Sequence, residues 1–283
     1  MRLQEEGARP DDWDSVAAAA RLSPSASLKG FVNKTLAIAE LEVRKLRHDF
    51  TELLTRAAQP VLWFVLFGEV LTRARAIPTG EIAYRDFLAP GILAQSVLFV
   101  AIFYGISIIW ERDLGITNKF LVSPTPRAAL VLGKALSAGV RALSQALIIY
   151  ALALLLGVKL NWHPLALAGV LVVVFIGSAL FSTFSLIVAC LVKTRERFMG
   201  IGQVLTMPLF FASNAIYPIE LMPGWLRVVS AVNPLTYEVD ALRALMIRGW
   251  QGEFGLGLDF GILLGLTFVL VLIGARLYPR VVL

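Results

Sequence analysis

The sequence predicts an all-α, polytopic membrane fold. It has six transmembrane helices, an N-terminal amphipathic interfacial helix and a short outer helical hairpin, re-entrant or interfacial, between spans five and six. Three observations predict it. Hydrophobic residues make up 58% of the chain against 16% charged, with a mean hydropathy of +0.75, too apolar for an ordinary soluble domain. Long runs carry no charge at all. Lysine and arginine gather at alternate run ends, a bias that accounts for the net charge of +6 without invoking nucleic acid.

Residues 1–30 are mixed in charge and rich in Ala, Pro and Ser, the composition of a flexible cytoplasmic tail. They contain no apolar signal-peptide core. Residues 31–50 differ. Val32, Leu36, Ala39, Val43, Leu46 and Phe50 recur at steps of four and three, placing them on one helical face. Lys34, Arg44, Lys45 and His48 fall on the opposite side. A basic amphipathic helix just before a first span is suited to the cytoplasmic membrane surface.

The first span is Leu53–Leu71, with Arg56 and Glu69 near its ends and a bend expected at Gln59-Pro60. Phe87–Ile109 is uncharged for 23 residues, enough to cross at about 1.5 Å per residue. Ala142–Val158 is uncharged for 17, its helix starting near Lys134. Leu160–Val192 is uncharged for 33, leaving a loop at Asn161–Pro164 and a span from Leu165. Phe198–Ile219 supplies 22 residues, and Phe254–Tyr278 closes the set with Asp259 near its outer end. With the N-terminus inside, 15 Lys and Arg flank the inner ends and 7 the outer ends. That excess puts both termini in the cytoplasm. Glu69 and Asp259 read as interfacial carboxylates, and Arg141 as an inner-leaflet anchor.

Residues 218–249 then lie outside. Pro223 suits the first turn of one short helix, and Asn233-Pro234 starts a second with Asn as N-cap and Pro at the first helical position. Leu235, Val239, Leu242 and Met246 form an apolar stripe, with Asp240 and Arg243 paired on the more polar side. By these patterns alone, an amphipathic surface loop and a membrane-dipping hairpin fit equally. The longest inner loop contains segment 110–123, of mixed charge, whose first half suits a short helix stopped by Pro124 and Pro126 before span three.

The order of residues adds a resemblance. Tyr217-Pro218, Leu221-Met222-Pro223-x-Trp225-Leu226, Asn233-Pro234-Leu235-Thr236-Tyr237 and Val239-Asp240-Ala241-Leu242-Arg243 closely resemble the signature of type-2 ABC exporter permeases. These are membrane subunits similar to daunorubicin-resistance and nodulation-factor exporters. Glu111-Arg112-x-x-Gly115, then Leu121-x-Ser123-Pro124-x-x-Arg127, is similar to the family's cytoplasmic coupling segment, in which Asp113 and Phe120 would also take part. There the family usually carries a second acidic residue after a Gly-Thr pair. Here Ile116-Thr117-Asn118-Lys119 stands instead, which implies different charge pairing with the ATPase.

The resemblance implies that 31–283 is a six-span exporter domain in the bacterial cytoplasmic membrane. It implies two cytoplasmic ABC ATPase subunits, which hold ATP and Mg2+, and a second permease chain as homodimer or heterodimer. The substrate class implied is a hydrophobic or amphiphilic drug, lipid or lipid-linked molecule. Pro218, Met222, Pro223, Trp225, Asn233, Pro234, Tyr237, Asp240 and Arg243 would form the outer gate.

The chain itself has no Walker A run of Gly and Lys-Ser/Thr, so it is not expected to hydrolyse nucleotide. Gly200-Ile201-Gly202 reads as close helix packing. Cys190 stands alone, and His48 and His163 lie far apart without the spacing of metal ligands. A flippase for a lipid-linked saccharide or polymer would favour a Trp/Tyr stripe along an inward helix face, which the sequence does not display. An ion-coupled carrier or a non-transporting scaffold would need no ATPase partner.

Overall fold

The structure, a computed structural model, describes residues 29–37, 40, 44, 50–74, 77–80, 82–116, 126–192, 194–250 and 252–278. It is helical throughout, as predicted. The helices are α1 (Phe50–Ala74), α2 (Tyr84–Tyr104), α3 (Ile106–Asp113), α4 (Arg127–Leu155), α5 (Pro164–Leu191), α6 (Arg195–Phe211), α7 (Gly224–Val232), α8 (Pro234–Met246) and α9 (Leu256–Leu277), with a 3-10 turn at Ile219–Leu221. Among the described residues, four stretches are long and apolar enough to cross a membrane: Tyr84–Asp113, Arg127–Leu155, Pro164–Leu191 and Leu256–Leu277. Helices α1 and α6 coincide with the first and fifth predicted spans. Of the predicted interfacial helix, residues 29–37 are helical, and Glu40 pairs with Arg44 at 2.7 Å. Most of its remainder lies outside the described residues.

Helix α5 is the hub, packing on α2, α4, α8 and α9. Small residues on α5 permit this: Gly177, Ser178, Ala179 and Ser182 are buried, and the Glu238 carboxyl of α8 presses directly against Gly177. Helix α2 is the most enclosed. Its Gly91 abuts the backbone of Ala215, so any Cβ there would collide with a group that cannot swing away. Gly105 interrupts the stack between α2 and α3 beside Ser185 and Phe198, and the Ser185 hydroxyl donates to the Ile102 carbonyl.

Several expectations need correction. Helix α4 starts at Arg127, well before Lys134, which places Arg141 about 21 Å along it at 1.5 Å per residue. There Arg141 is buried with its guanidinium 4.9 Å from the centre of the Tyr104 ring, packed against α2. Helix α6 has 17 residues and ends at Phe211, short of the predicted Ile219, because the chain turns at residues 212–215 just after Pro208. A methyl group added at Gly202 would make only ordinary contact, 3.5 Å from Ile102, and Gly200 faces open space, so neither glycine is demanded by close helix packing. Asp259 is fully buried with both oxygens lacking hydrogen-bond partners among the described residues, so it does not snorkel. Glu69 is exposed and pairs with Arg73 at 2.7 Å, consistent with an interfacial carboxylate.

Candidate functional site

Two ends of the bundle gather the residues singled out by sequence. At the α3 end, Glu111 is only 4% exposed and receives a 2.7 Å bond from Lys134 Nζ of α4, which is 3% exposed. Asp113 accepts from Arg195 Nε and Nη2 at 3.0 and 2.7 Å, fixing the end of α3 to the start of α6. Arg112 bonds Asp113 at 3.2 Å and reaches the Val192 carbonyl at 3.3 Å. The Arg195 guanidinium also lies 3.6 Å from the centre of the Trp110 ring. Three elements are thus cross-tied by charge.

Gly115 stops α3. Its φ of +69° is the left-handed geometry that glycine accepts without Cβ strain. Its N–H bonds the Arg112 carbonyl at 2.9 Å while Leu114 N–H bonds that of Trp110 at 3.0 Å. Arg127 opens α4 in an exposed position. Phe120, Leu121 and Pro124 lie outside the described residues.

At the other end, Pro218 precedes the 3-10 turn and Pro223 caps α7. Arg227 locks this turn by donating to the Met222 and Glu220 carbonyls at 3.0 and 2.6 Å, and Met222 is buried beneath it. Trp225 is 69% exposed, on a helix whose Val228, Val229 and Val232 are exposed as well. Asn233 accepts from Leu235 N–H at 3.0 Å and donates to the Leu209 carbonyl at 2.7 Å, with Pro234 at the first helical position. Replacing Asn233 by Ala is expected to cost about 1–2 kcal/mol through the lost cap. Asn233→Ser, which keeps the cap but not the reach to Leu209, should fall between, as read from thermal unfolding of the purified protein.

Helix α8 is enclosed by its neighbours, so it does not fit the plain surface loop, one of the two readings its pattern left open. Residues Leu235 to Arg243 are all buried, and the helix packs on α2, α5 and α9. Asp240 and Arg243 therefore occupy no polar face, and each is engaged elsewhere. Asp240 Oδ1 and Oδ2 accept from the backbone N–H of Glu253 and Phe254, both at 3.0 Å. Arg243 donates to the Asn214 carbonyl at 2.7 Å with its guanidinium 3.8 Å from the centre of the Phe87 ring. Tyr237 donates to the Ala231 carbonyl at 2.6 Å, tying α8 back to α7. In the following loop, burial, with the Glu220 carboxylate nearby, raises the Glu253 carboxyl above its ordinary range.

Residues 33–247 match the protein family described as ABC-2 type transporter. The chain belongs to that family. It is 29% identical over 219 residues to a putative transport permease, ycf38, of Cyanophora paradoxa, covering 76% of this chain and 74% of the relative. It is 26% identical over 232 residues to the daunorubicin resistance ABC transporter permease protein DrrB1 of Streptomyces coeruleorubidus, covering 82% and 81%. Nodulation protein J of Rhizobium leguminosarum bv. viciae is 26% identical over 200 residues, covering 69% and 74%.

As an ABC-2 family member the chain is a multi-pass membrane protein, and the family implies an ATPase component. At the hairpin end, aromatic rings from separate helices come together. Trp63 stacks on Phe67 at 4.5 Å and meets Phe210 and Phe211 edge-on at 6.2 and 5.9 Å. These rings, with Tyr84 and Tyr217, line a groove of about 270 Å³ between α1, α2 and α6. Phe210 and Phe211 are neighbours in the chain, but Trp63 and Phe67 lie far from them in sequence. Lys134 and Arg195 were likewise legible only as flanking charges. Their partners, Glu111 and Asp113, lie 23 and 82 positions away.

Proposed function

We propose that this chain is the membrane-spanning permease half of an ATP-driven exporter. It would cross the bacterial cytoplasmic membrane six times, α1 and α6 included, with both termini in the cytoplasm. Two cytoplasmic ABC ATPase subunits, carrying ATP and Mg2+, would work on a pair of permease chains, homodimeric or heterodimeric. This chain would contribute no catalytic group. Such pairing would cover the exposed apolar faces of α1 and α6, among them Leu62, Leu66, Val70 and Val204.

The observation that carries this reading is the reach of α6. Its first residue, Arg195, is clamped to Asp113 and Trp110 of the coupling segment, and its last residues, Phe210 and Phe211, line the aromatic groove. A helix of this length transmits displacement over about 25 Å, and Pro208 provides a bending point beside the groove. Nucleotide-driven closure of the ATPases against 110–123 would therefore alter the groove that accepts a hydrophobic or amphiphilic molecule. The 218–249 hairpin would shape its exit. The name of the Streptomyces relative, a daunorubicin resistance permease, supports an aromatic amphiphile as one substrate class.

The test is reconstitution with the ATPase subunits in sealed vesicles. Asp113→Asn and Trp110→Ala should leave basal ATP hydrolysis intact while lowering substrate-stimulated hydrolysis about tenfold, on the order of 1.4 kcal/mol of coupling. Export by the permease pair without any ATPase would refute the proposal. Orientation is checked separately: a cysteine at Trp225 should react with an impermeant outside reagent, and one at Thr125 should not.

A further inference from the structure

Outside the coupling segment and the aromatic groove, the hairpin end holds a crevice of about 620 Å³ where three interhelical loops converge. Arg85, Lys159 and Arg248 line it, one from each loop region. Cations are disfavoured on the outer side of a membrane protein, so their use is informative. Arg73 is paired with Glu69, Arg227 binds the carbonyls of its own hairpin, and Arg243 is buried on Asn214 and Phe87. Arg75 lies outside the described residues. The remaining three outer cations share one cavity.

The wall is built, not incidental. Leu160 and Ile247 form an isolated antiparallel bridge, and Asn161 N–H bonds the Met246 carbonyl at 2.7 Å, fixing the α4–α5 loop to the end of α8. Asp86 lies at the base, 5% exposed, with Oδ1 3.9 Å from Arg85 Nε. Among the described lining residues it offsets one of the three positive charges, leaving two in excess. Trp162, half exposed, stands at the crevice against Tyr150 with ring centres 6.0 Å apart, the amphipathic placement of an aromatic residue at headgroup depth.

We propose that this crevice binds a phosphate group, with an anionic lipid headgroup of the outer leaflet as its expected source. The guanidinium groups of Arg85 and Arg248 and the ammonium of Lys159 supply charge-assisted donors to the phosphate oxygens. Trp162 and the Leu160–Ile247 bridge offer the apolar edge against which the glycerol and first methylenes can rest. The site uses the outer orientation proposed above but does not depend on export.

The experiment is native mass spectrometry of the full chain after exchange with phosphatidylglycerol or phosphatidylcholine vesicles, with inorganic phosphate as competitor. Retention of phosphatidylglycerol over phosphatidylcholine is expected. It should fall about tenfold or more in the triple variant Arg85→Gln, Lys159→Gln, Arg248→Gln, given the strength of charge-assisted bonds. Arg73→Gln, which removes an outer cation away from the crevice, should retain lipid like the unmodified chain. Should the triple variant not fold, Lys159→Gln and Arg248→Gln alone, both at exposed positions, should each show a partial loss. Displacement of lipid by millimolar phosphate, or phosphate binding that the triple variant abolishes, supports the site with a free anion as occupant. Equal lipid retention and equal phosphate binding in the crevice variants and Arg73→Gln overturns it. Loss of the ATPase partnership would leave this result untouched, so the two proposals fail independently.

Discussion

Replacing Glu111 by Gln is expected to destabilise the chain by about 3–5 kcal/mol, the usual consequence of removing one member of a buried ion pair. The carboxylate and Lys134 Nζ lie 2.7 Å apart and are both nearly inaccessible. The substitution strips Lys134 of this counter-charge where water can do little to replace it. An exposed pair such as Glu40–Arg44 should respond by less than about 1 kcal/mol. The two sites together therefore give an internal comparison, read as unfolding midpoints in detergent or nanodiscs. Charge exchange, Glu111→Lys with Lys134→Glu, should recover part of the loss, since the opposed charges are restored but their other contacts are not. Equal stability of Glu111→Gln and the unmodified chain would remove the α3–α4 clamp from the account. Stimulated ATP hydrolysis should fall more than stability alone explains, because α3 is the segment on which the ATPase is proposed to act.

What the sequence made legible follows from the strength of each signal. The uncharged runs were enough to place α2, α5 and α9, because hydrocarbon tolerates little charge and the runs had few other readings. Asn233-Pro234 located the start of α8 because capping is a local interaction between neighbours in the chain. The start of α4 was hidden for the opposite reason. Lys134 and Arg141 interrupt its hydrophobic pattern, and tertiary partners such as Glu111 and Tyr104 make their burial tolerable. The same holds for α8, whose Asp240 and Arg243 suggest a polar face yet are enclosed against partners 13 to 29 positions away. Long-range compensation leaves no mark at helical spacing, so the enclosure of α8 was not legible in its pattern. The aromatic groove was obscured similarly, since Trp63 and Phe210 meet only through the packing of separate helices.

Asp240→Leu is the second substitution with a large expected effect. The carboxylate is fully buried and accepts two backbone N–H groups, from Glu253 and Phe254, that set the path of the loop into α9. Leucine leaves both donors without that acceptor at about 1–3 kcal/mol each, hence a total of roughly 2–6 kcal/mol. Packing offers no relief: a methyl placed on Gly252 would already lie 2.8 Å from Asp240 Oδ2, so the loop sits too close for branched methyl groups. Asp240 is also the leading source of negative potential on the buried Arg243, which loses that support. Asp240→Asn separates these contributions. It removes the charge but keeps one acceptor oxygen and the shape, so it should cost less than Leu, and the difference between the two variants combines one loop bond with the packing clash. If unfolding and assembly with the ATPase subunits were unchanged in Asp240→Leu, the loop would not depend on this carboxylate. If Asn were as damaging as Leu, the charge opposite Arg243 would be the dominant contribution and the two N–H bonds a minor one.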